Sequence, residues 1–271
     1  MHKLKSLLVV LGAVSLTASA QIDLKGHMKQ GGLLIGKASP GSVVKLDGKK
    51  LAVSDQGDYV FGFGRDDEKS LLLEITDSSG KSWQKQIKPM KRKYNEQRIE
   101  GIPKKIMKPS KESQERIAKD NKQIKKARSV SSEKTWFTQG FIAPIDGKIT
   151  GVYGSRRIFN GEPKWPHFGL DYAGKTGDPV KSPADGKVLM YVPDMFYSGG
   201  TMIIDHGMGV SSTFLHLSDS FVKAGDQVKQ GQVVAAVGST GRSTGPHLDW
   251  RINWFGTRVD PALVLSFPKL K

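Results

Sequence analysis

Gly245-Pro246-His247-Leu248-Asp249-Trp250-Arg251-Ile252 is the stretch on which the fold of this chain turns. After Gly-Pro the residues alternate polar and apolar, the period of an extended strand rather than of a helix. His247, Asp249 and Arg251 share one face, and Leu248, Trp250 and Ile252 share the other. The apolar face belongs against a core. The polar face then carries an imidazole and a carboxylate side by side. Gly238, Gly241 and Gly245 make the approach loop able to turn tightly.

Two segments upstream offer further ligand-type side chains. Ser212-Thr213-Phe214-Leu215-His216-Leu217-Ser218 also alternates as a strand, with His216 on the face of Phe214 and Ser218. Pro166-His167-Phe168-Gly169-Leu170-Asp171 separates a His and an acid by four residues. A helix or an extended chain would put both on one side, and Gly169 with its β-type surroundings favours the extended chain. Gly177-Asp178-Pro179-Val180-Lys181 is echoed 48 residues later by Gly225-Asp226-Gln227-Val228-Lys229, which points to a duplicated β-hairpin arrangement. The strand-rich, Gly-rich region around these motifs is expected to form one domain over residues 136–267.

The N-terminal half has a different grammar. Leu33-Leu34-Ile35, Val43-Val44-Lys45-Leu46, Tyr59-Val60-Phe61 and Leu71-Leu72-Leu73-Glu74-Ile75 are β-type runs separated by Pro40-Gly41, Asp47-Gly48, Gln56-Gly57-Asp58 and Ser79-Gly80. Such spacing predicts a small immunoglobulin-like β-sandwich over residues 21–90. Residues 91–135 read as a basic linker. Ser110 is placed to cap a helix running to about Arg128, with only Ile117, Ala118, Ile124 and Ala127 apolar along it.

The 271 residues carry 42 Lys and Arg against 26 Asp and Glu, a net charge of +16. Between Lys85 and Arg128 there are 16 basic and 5 acidic residues, so +11 of the excess lies in one stretch. Lys3 and Lys5, the apolar run from Leu7 to Leu16 and Ala18-Ser19-Ala20 have the order of a secretory signal cleaved before Gln21. Residues 1–20 are therefore expected to be a leader rather than a membrane span. No later segment is apolar enough to cross a bilayer. The chain has no Cys, so an exported protein of this kind must hold together by packing or by metal. On an exported protein the basic stretch suits anionic envelope polymers, and nucleic acid is not expected as a partner.

The order H-x-x-x-D, then L-H-L-S, then T-G-P-H closely resembles the M23 metallopeptidases of the lysostaphin/LytM type. The resemblance covers roughly residues 140–262 and includes Gly154, Ser182-Pro183-Ala184-Asp185-Gly186 and Asp205-His206-Gly207. It implies an all-β chain, with a LytM-type duplicated β-hybrid domain after the sandwich and the partly helical linker. It implies a zinc peptidase of bacterial peptidoglycan, periplasmic or secreted. By position, His167 and Asp171 become zinc ligands, and His216 and His247 the pair that handles the attacking water and the developing oxyanion. His206 receives no role.

One departure stands out. The family carries His, its third zinc ligand, where this chain has Asp249. A carboxylate is itself a competent zinc ligand. A His167/Asp171/Asp249 site would set two negative charges against the ion and weaken it as a Lewis acid. The alternative is a LytM-type relative without activity that binds wall or activates amidases. Survival of His167, Asp171, His216 and His247 favours the enzyme. Arg156 and Arg157 are candidates for holding a substrate carboxylate, and residues 194–200 for a groove wall with exposed aromatics.

Overall fold

The computed structural model describes residues 22–100 and 110–266. The expected leader at 1–20 and the linker stretch 101–109 lie outside the described residues. The chain is mostly β, as expected, with two α-helices among the described residues.

Seven short strands come first: β1 (Leu24–Gly26), β2 (Leu33–Lys37), β3 (Val43–Leu46), β4 (Lys49–Lys50), β5 (Asp58–Gly62), β6 (Leu71–Thr76) and β7 (Ser82–Ile87). They form two sheets, ordered β1-β2-β5 and β4-β3-β6-β7. Asp47 and Gly48 take φ of 49° and 76° between β3 and β4, the backbone of a two-residue hairpin turn that Asp-Gly favours. Leu34, Tyr59 and Phe61 face Val44, Leu73 and Ile87 across the two sheets. Leu33, Ile35 and Val60 point the other way, into the apolar cluster of the C-terminal half. The sheet of β2 and β5 is thus covered on both faces. That is why its strands read as continuous apolar runs instead of alternating.

The strand β8 (Glu96–Ile99) pairs in parallel with β10 (Arg156–Phe159), and β11 (Glu162–Pro163) lies on the far side of β10. Helix α1 spans Lys111–Arg128, with the Ser110 hydroxyl accepting from the Ser113 amide at its N-terminus. It does more than span solvent. Ala127 and Arg128 are buried, Arg116 binds Asp194, and the Asp120 carboxylate accepts from the Phe196 amide at 2.8 Å.

The C-terminal half is built on an eight-stranded sheet whose main path runs β18-β14-β15-β16-β20-β12-β9. In chain order its strands are β9 (Ile149–Gly151), β12 (Leu170–Ala173), β14 (Gly186–Met195), β15 (Gly199–Gly207), β16 (Val210–Leu217), β18 (Gln227–Val228), β20 (His247–Trp254) and β21 (Thr257–Val259), the last paired with β20. A three-stranded sheet, β13 (Pro179–Lys181), β19 (Val233–Ala236) and β17 (Asp219–Ser220), packs nearby. The repeated Gly-Asp motif folds twice into the same turn. Asp178 accepts from the Lys175 amide at 2.7 Å, and Asp226 accepts from the Lys223 amide at 2.9 Å. The central strands β15 and β16 are buried along their whole length. Helix α2 (Pro261–Leu265) follows, capped by Asp260.

Candidate metal centre

The alternation read from residues 245–252 holds in β20. Leu248, Trp250 and Ile252 are fully buried, and His247 and Asp249 sit two residues apart on the other face. Asp171 lies directly opposite Asp249 across the β12–β20 pairing, so both carboxylates emerge on one side of the sheet. Glycine makes room for them. A Cβ at Gly169 would lie 2.2 Å from Asp249 Oδ1, and one at Gly151 would lie 2.2 Å from Asp171 Oδ2.

His167 precedes β12 and lies in the loop before it, outside the paired strands and in no helix. Two backbone hydrogen bonds fix it: its amide donates to Ser155 O at 2.8 Å, and its carbonyl accepts from the Gly154 amide at 2.7 Å. His167, Asp171 and Asp249 each offer one ligand atom, all within 4.8 Å of one another. His167 Nε2 stands 2.9 Å from Asp171 Oδ1 and 3.5 Å from Asp249 Oδ2. Despite that approach, His167 Nε2 and Asp171 Oδ1 are buried without a well-directed hydrogen bond. Buried polar atoms rarely stay unpaired. Two that face a common point with a second carboxylate fit a shared divalent cation, and the N/O donor set suits zinc.

The histidine tautomers agree with this reading. Each catalytic-type His places Nδ1 against a backbone carbonyl: His167 on Val152 O at 3.2 Å, His216 on Thr240 O at 2.7 Å, His247 on Gly245 O at 2.8 Å. A carbonyl only accepts, so Nδ1 carries a hydrogen and Nε2 is the nitrogen left to face the site. Burial alone would lower the His167 pKa, but the Asp171 and Asp249 carboxylates reverse this and raise it to about 10. His167 therefore holds either a proton or a cation at Nε2.

His216 reaches the site by breaking its strand. Leu215 opposes Asp249, so simple alternation would turn His216 toward the opposite face, with Phe214. Its φ of 62° interrupts that alternation and brings its ring to 4.7 Å from that of His247. A left-handed backbone at a non-glycine residue costs ~1–3 kcal/mol and persists only when its surroundings enforce it. Here Ser198 O accepts the His216 amide and Thr240 O accepts Nδ1. Burial, reinforced by His247, lowers the His216 pKa against the opposing Thr240 hydrogen bond, which keeps the ring neutral and able to take a proton. Thr240 escaped the sequence reading, although it lies in the glycine-punctuated loop singled out there. Its hydroxyl also bonds the Gly200 amide and Leu217 O, tying three segments together.

A second finding concerns Asp249. Arg251, expected on the same face, grips it from both sides, with Nε at 3.0 and 3.1 Å from the two oxygens and Nη2 at 2.5 Å from Oδ2. Burial opposes ionisation of Asp249, but the Arg251 charge and His167 hold its carboxyl far below the usual range. The negative charge of Asp249 is thus already compensated within β20. Arg156, a candidate for substrate, gives its guanidinium to Glu96 on β8, while Arg157 stays exposed. His206 is a structural residue. It is fully buried between Asp185 O and Ser212 Oγ, both at 2.8 Å, and burial lowers its pKa to about 4. The 194–200 turn does carry an exposed aromatic, Tyr197, beneath the Arg242 guanidinium.

Residues 165–261 match the model of peptidase family M23. Peptidoglycan DD-endopeptidase ShyB of Vibrio cholerae is 44% identical over 87 residues, 32% of this chain and 20% of the relative. DD-carboxypeptidase/endopeptidase Mpg of Neisseria meningitidis is 42% identical over 105 residues, 38% of this chain and 24% of the relative. The chain therefore spans about a quarter or less of these relatives' length. A solved M23 peptidase candidate from Pseudomonas aeruginosa superposes with a TM-score of 0.67 at 29% identity, covering 88% of this chain and 94% of that one. The sequence motifs, the sheet that gathers them and the matched relatives agree: residues 165–261 form a peptidase family M23 domain.

Proposed function

We propose that this chain is an exported zinc-dependent peptidase that hydrolyses the peptide cross-links of bacterial peptidoglycan. The observation that carries the proposal is the convergence of His167 Nε2, Asp171 and Asp249 beside two histidines whose Nε2 atoms keep their lone pairs. The relatives named for peptidoglycan endopeptidase activity support the substrate class, and a wall substrate implies action outside the cytoplasm.

His167, Asp171 and Asp249 would hold the ion. A bound zinc supplies Lewis-acid polarisation of the scissile carbonyl and makes a water acidic enough to attack near neutral pH. One of the pair His216 and His247 takes the proton of the attacking water through its free Nε2, and the other, when protonated at Nε2, donates from there to the developing oxyanion. Their backbone-anchored Nδ1 atoms fix both rings before substrate arrives. Strained φ at His216 and the Thr240 network place that ring without any reorganisation during the reaction.

The basic stretch from Lys85 to Arg128 supports a second element of the reading, contact with anionic envelope polymers next to the cleavage site. The functional test uses purified protein and isolated wall sacculi, with fragments identified by mass spectrometry. Wild-type protein should release cross-link peptides and retain about one metal ion per chain. His167→Ala should abolish both. Wall binding without cleavage at any zinc concentration would sink the enzyme reading and favour a wall-binding or amidase-activating protein.

A further inference from the structure

Further along the face of the sheet that carries Asp249 and Arg251, the last turns of α1 and the β20–β21 hairpin enclose an open cavity of about 480 Å³. Asn121, Ile124, Lys125, Arg128, Phe255 and Arg258 line it. The two arginines are unusual in what they lack. Arg128 is 8% exposed and donates one bond, from Nη2 to Thr213 Oγ1 at 3.0 Å, while its Nε is buried without a partner. Arg258 Nη1 is likewise buried and unpartnered. Neither guanidinium has an ion pair among the described residues. The nearby carboxylate, Asp249, is committed to Arg251. Phe168 contributes a ring 5.7 Å from Arg258, too little to offset a buried cation.

A guanidinium gives up its proton far more reluctantly than a Lys ammonium, so it does not readily escape burial by neutralising. Burial, then the neighbouring Arg258 and Arg251, push the Arg128 pKa down to about 8, and burial with Arg251 lowers Arg258 to about 10. Both shifts have the same cause as the unpartnered nitrogens, burial without a counter-charge. Two desolvated cations repel one another with donors left over, a combination that folded proteins avoid unless a counter-charge completes it.

We infer that this cavity is a phosphate-binding site, in which the Arg128 and Arg258 guanidiniums pair with a phosphate group and the exposed Lys125 adds a third positive charge to the lining. A tetrahedral dianion matches separated guanidiniums better than one planar carboxylate does. The cavity is larger than a phosphate, and its Ile124 and Phe255 wall leaves room for the carbon skeleton of a phosphoester. The inference rests on these arginines alone and stands whether or not the chain cleaves wall.

The test measures the melting temperature of the purified protein, and calorimetric binding, as inorganic phosphate is titrated against chloride at constant ionic strength. Phosphate should give a saturable rise that chloride does not. Arg258→Met should weaken binding about tenfold or more, the loss of a charge-assisted bond. Arg128→Met in phosphate-free buffer should melt at or above the wild-type temperature, because it removes an unpaired buried charge. His167→Ala should bind phosphate like wild type. Glycerol 3-phosphate binding more tightly than inorganic phosphate would identify a polymer phosphoester as the occupant. The reverse order would identify the free ion, and both support the site. Binding that survives both Arg→Met changes, or that disappears in His167→Ala, would place the phosphate on the metal cluster and overturn the inference. So would a clear drop in melting temperature, or failure to fold, for Arg128→Met without phosphate.

Discussion

Removing the Arg251 guanidinium asks what Asp249 is for. Asp249 is 3% exposed, and Arg251 meets its two oxygens at 2.5–3.1 Å. The other cation in reach, His167, stands 3.5 Å away. Arg251→Met therefore strands a buried carboxylate with one more distant partner. Breaking a buried pair from one side costs ~3–5 kcal/mol, and the remaining imidazolium puts the cost here near ~3 kcal/mol. At roughly 2–4 °C per kcal/mol for a chain of this size, the metal-free protein should melt ~6–12 °C lower than wild type. If Asp249 is a metal ligand, a bound cation replaces the lost guanidinium charge. The zinc-loaded variant should then lose less than half as much. Scanning calorimetry of both proteins, in chelator and in zinc, reads the difference directly. Equal losses under the two conditions would refute the assignment of Asp249 to the metal. A metal-free loss under about 2 °C would refute the claim that the pair is tightly coupled.

Asp249→His alone should not tighten zinc binding, because it leaves Arg251 buried beside the site without its carboxylate; Asp249→His with Arg251→Gln should bind more tightly than the single change, measured by chelator competition. Metal uptake must displace the His167 proton, so apparent affinity should climb about tenfold per pH unit up to about pH 10. The same raised pKa stabilises the metal-free fold fully below the unfolded value of 6.5, and that contribution should fade as pH rises through about 10 in chelator-treated melts. Gly169→Ala brings a Cβ within 2.2 Å of Asp249 Oδ1, and should lose metal and wall cleavage while circular dichroism stays wild-type. His216→Gln should abolish cleavage with metal content unchanged, which separates the proton-handling pair from the ligands.

Much of this protein follows from sequence because period and local chemistry are properties of neighbouring residues. The Leu248-Trp250-Ile252 stripe fixes which face of β20 is buried. Asp47-Gly48 makes its own turn, Ser110 caps its own helix, and the repeated Gly-Asp pair folds into one turn twice. His167, Asp171 and Asp249 were legible as a set through the order of three motifs, and the sheet brings their ligand atoms together. Alternation failed where backbone strain decides. His216 lies on the side of Asp249 and His247 only because its φ is 62°, and that value is enforced by Ser198 and Thr240 from segments distant in the chain. The two-sided burial of β2 and β5 likewise depends on a partner, the C-terminal core, that no local pattern names. Above all, sequence set two carboxylates against one ion, while the tertiary structure gave Asp249 to Arg251 and, among the described residues, left Arg128 and Arg258 without a counter-charge. Charge at a residue type is written in the sequence. Which opposite charge it meets, and how much water stands between them, is settled only when distant strands are packed together.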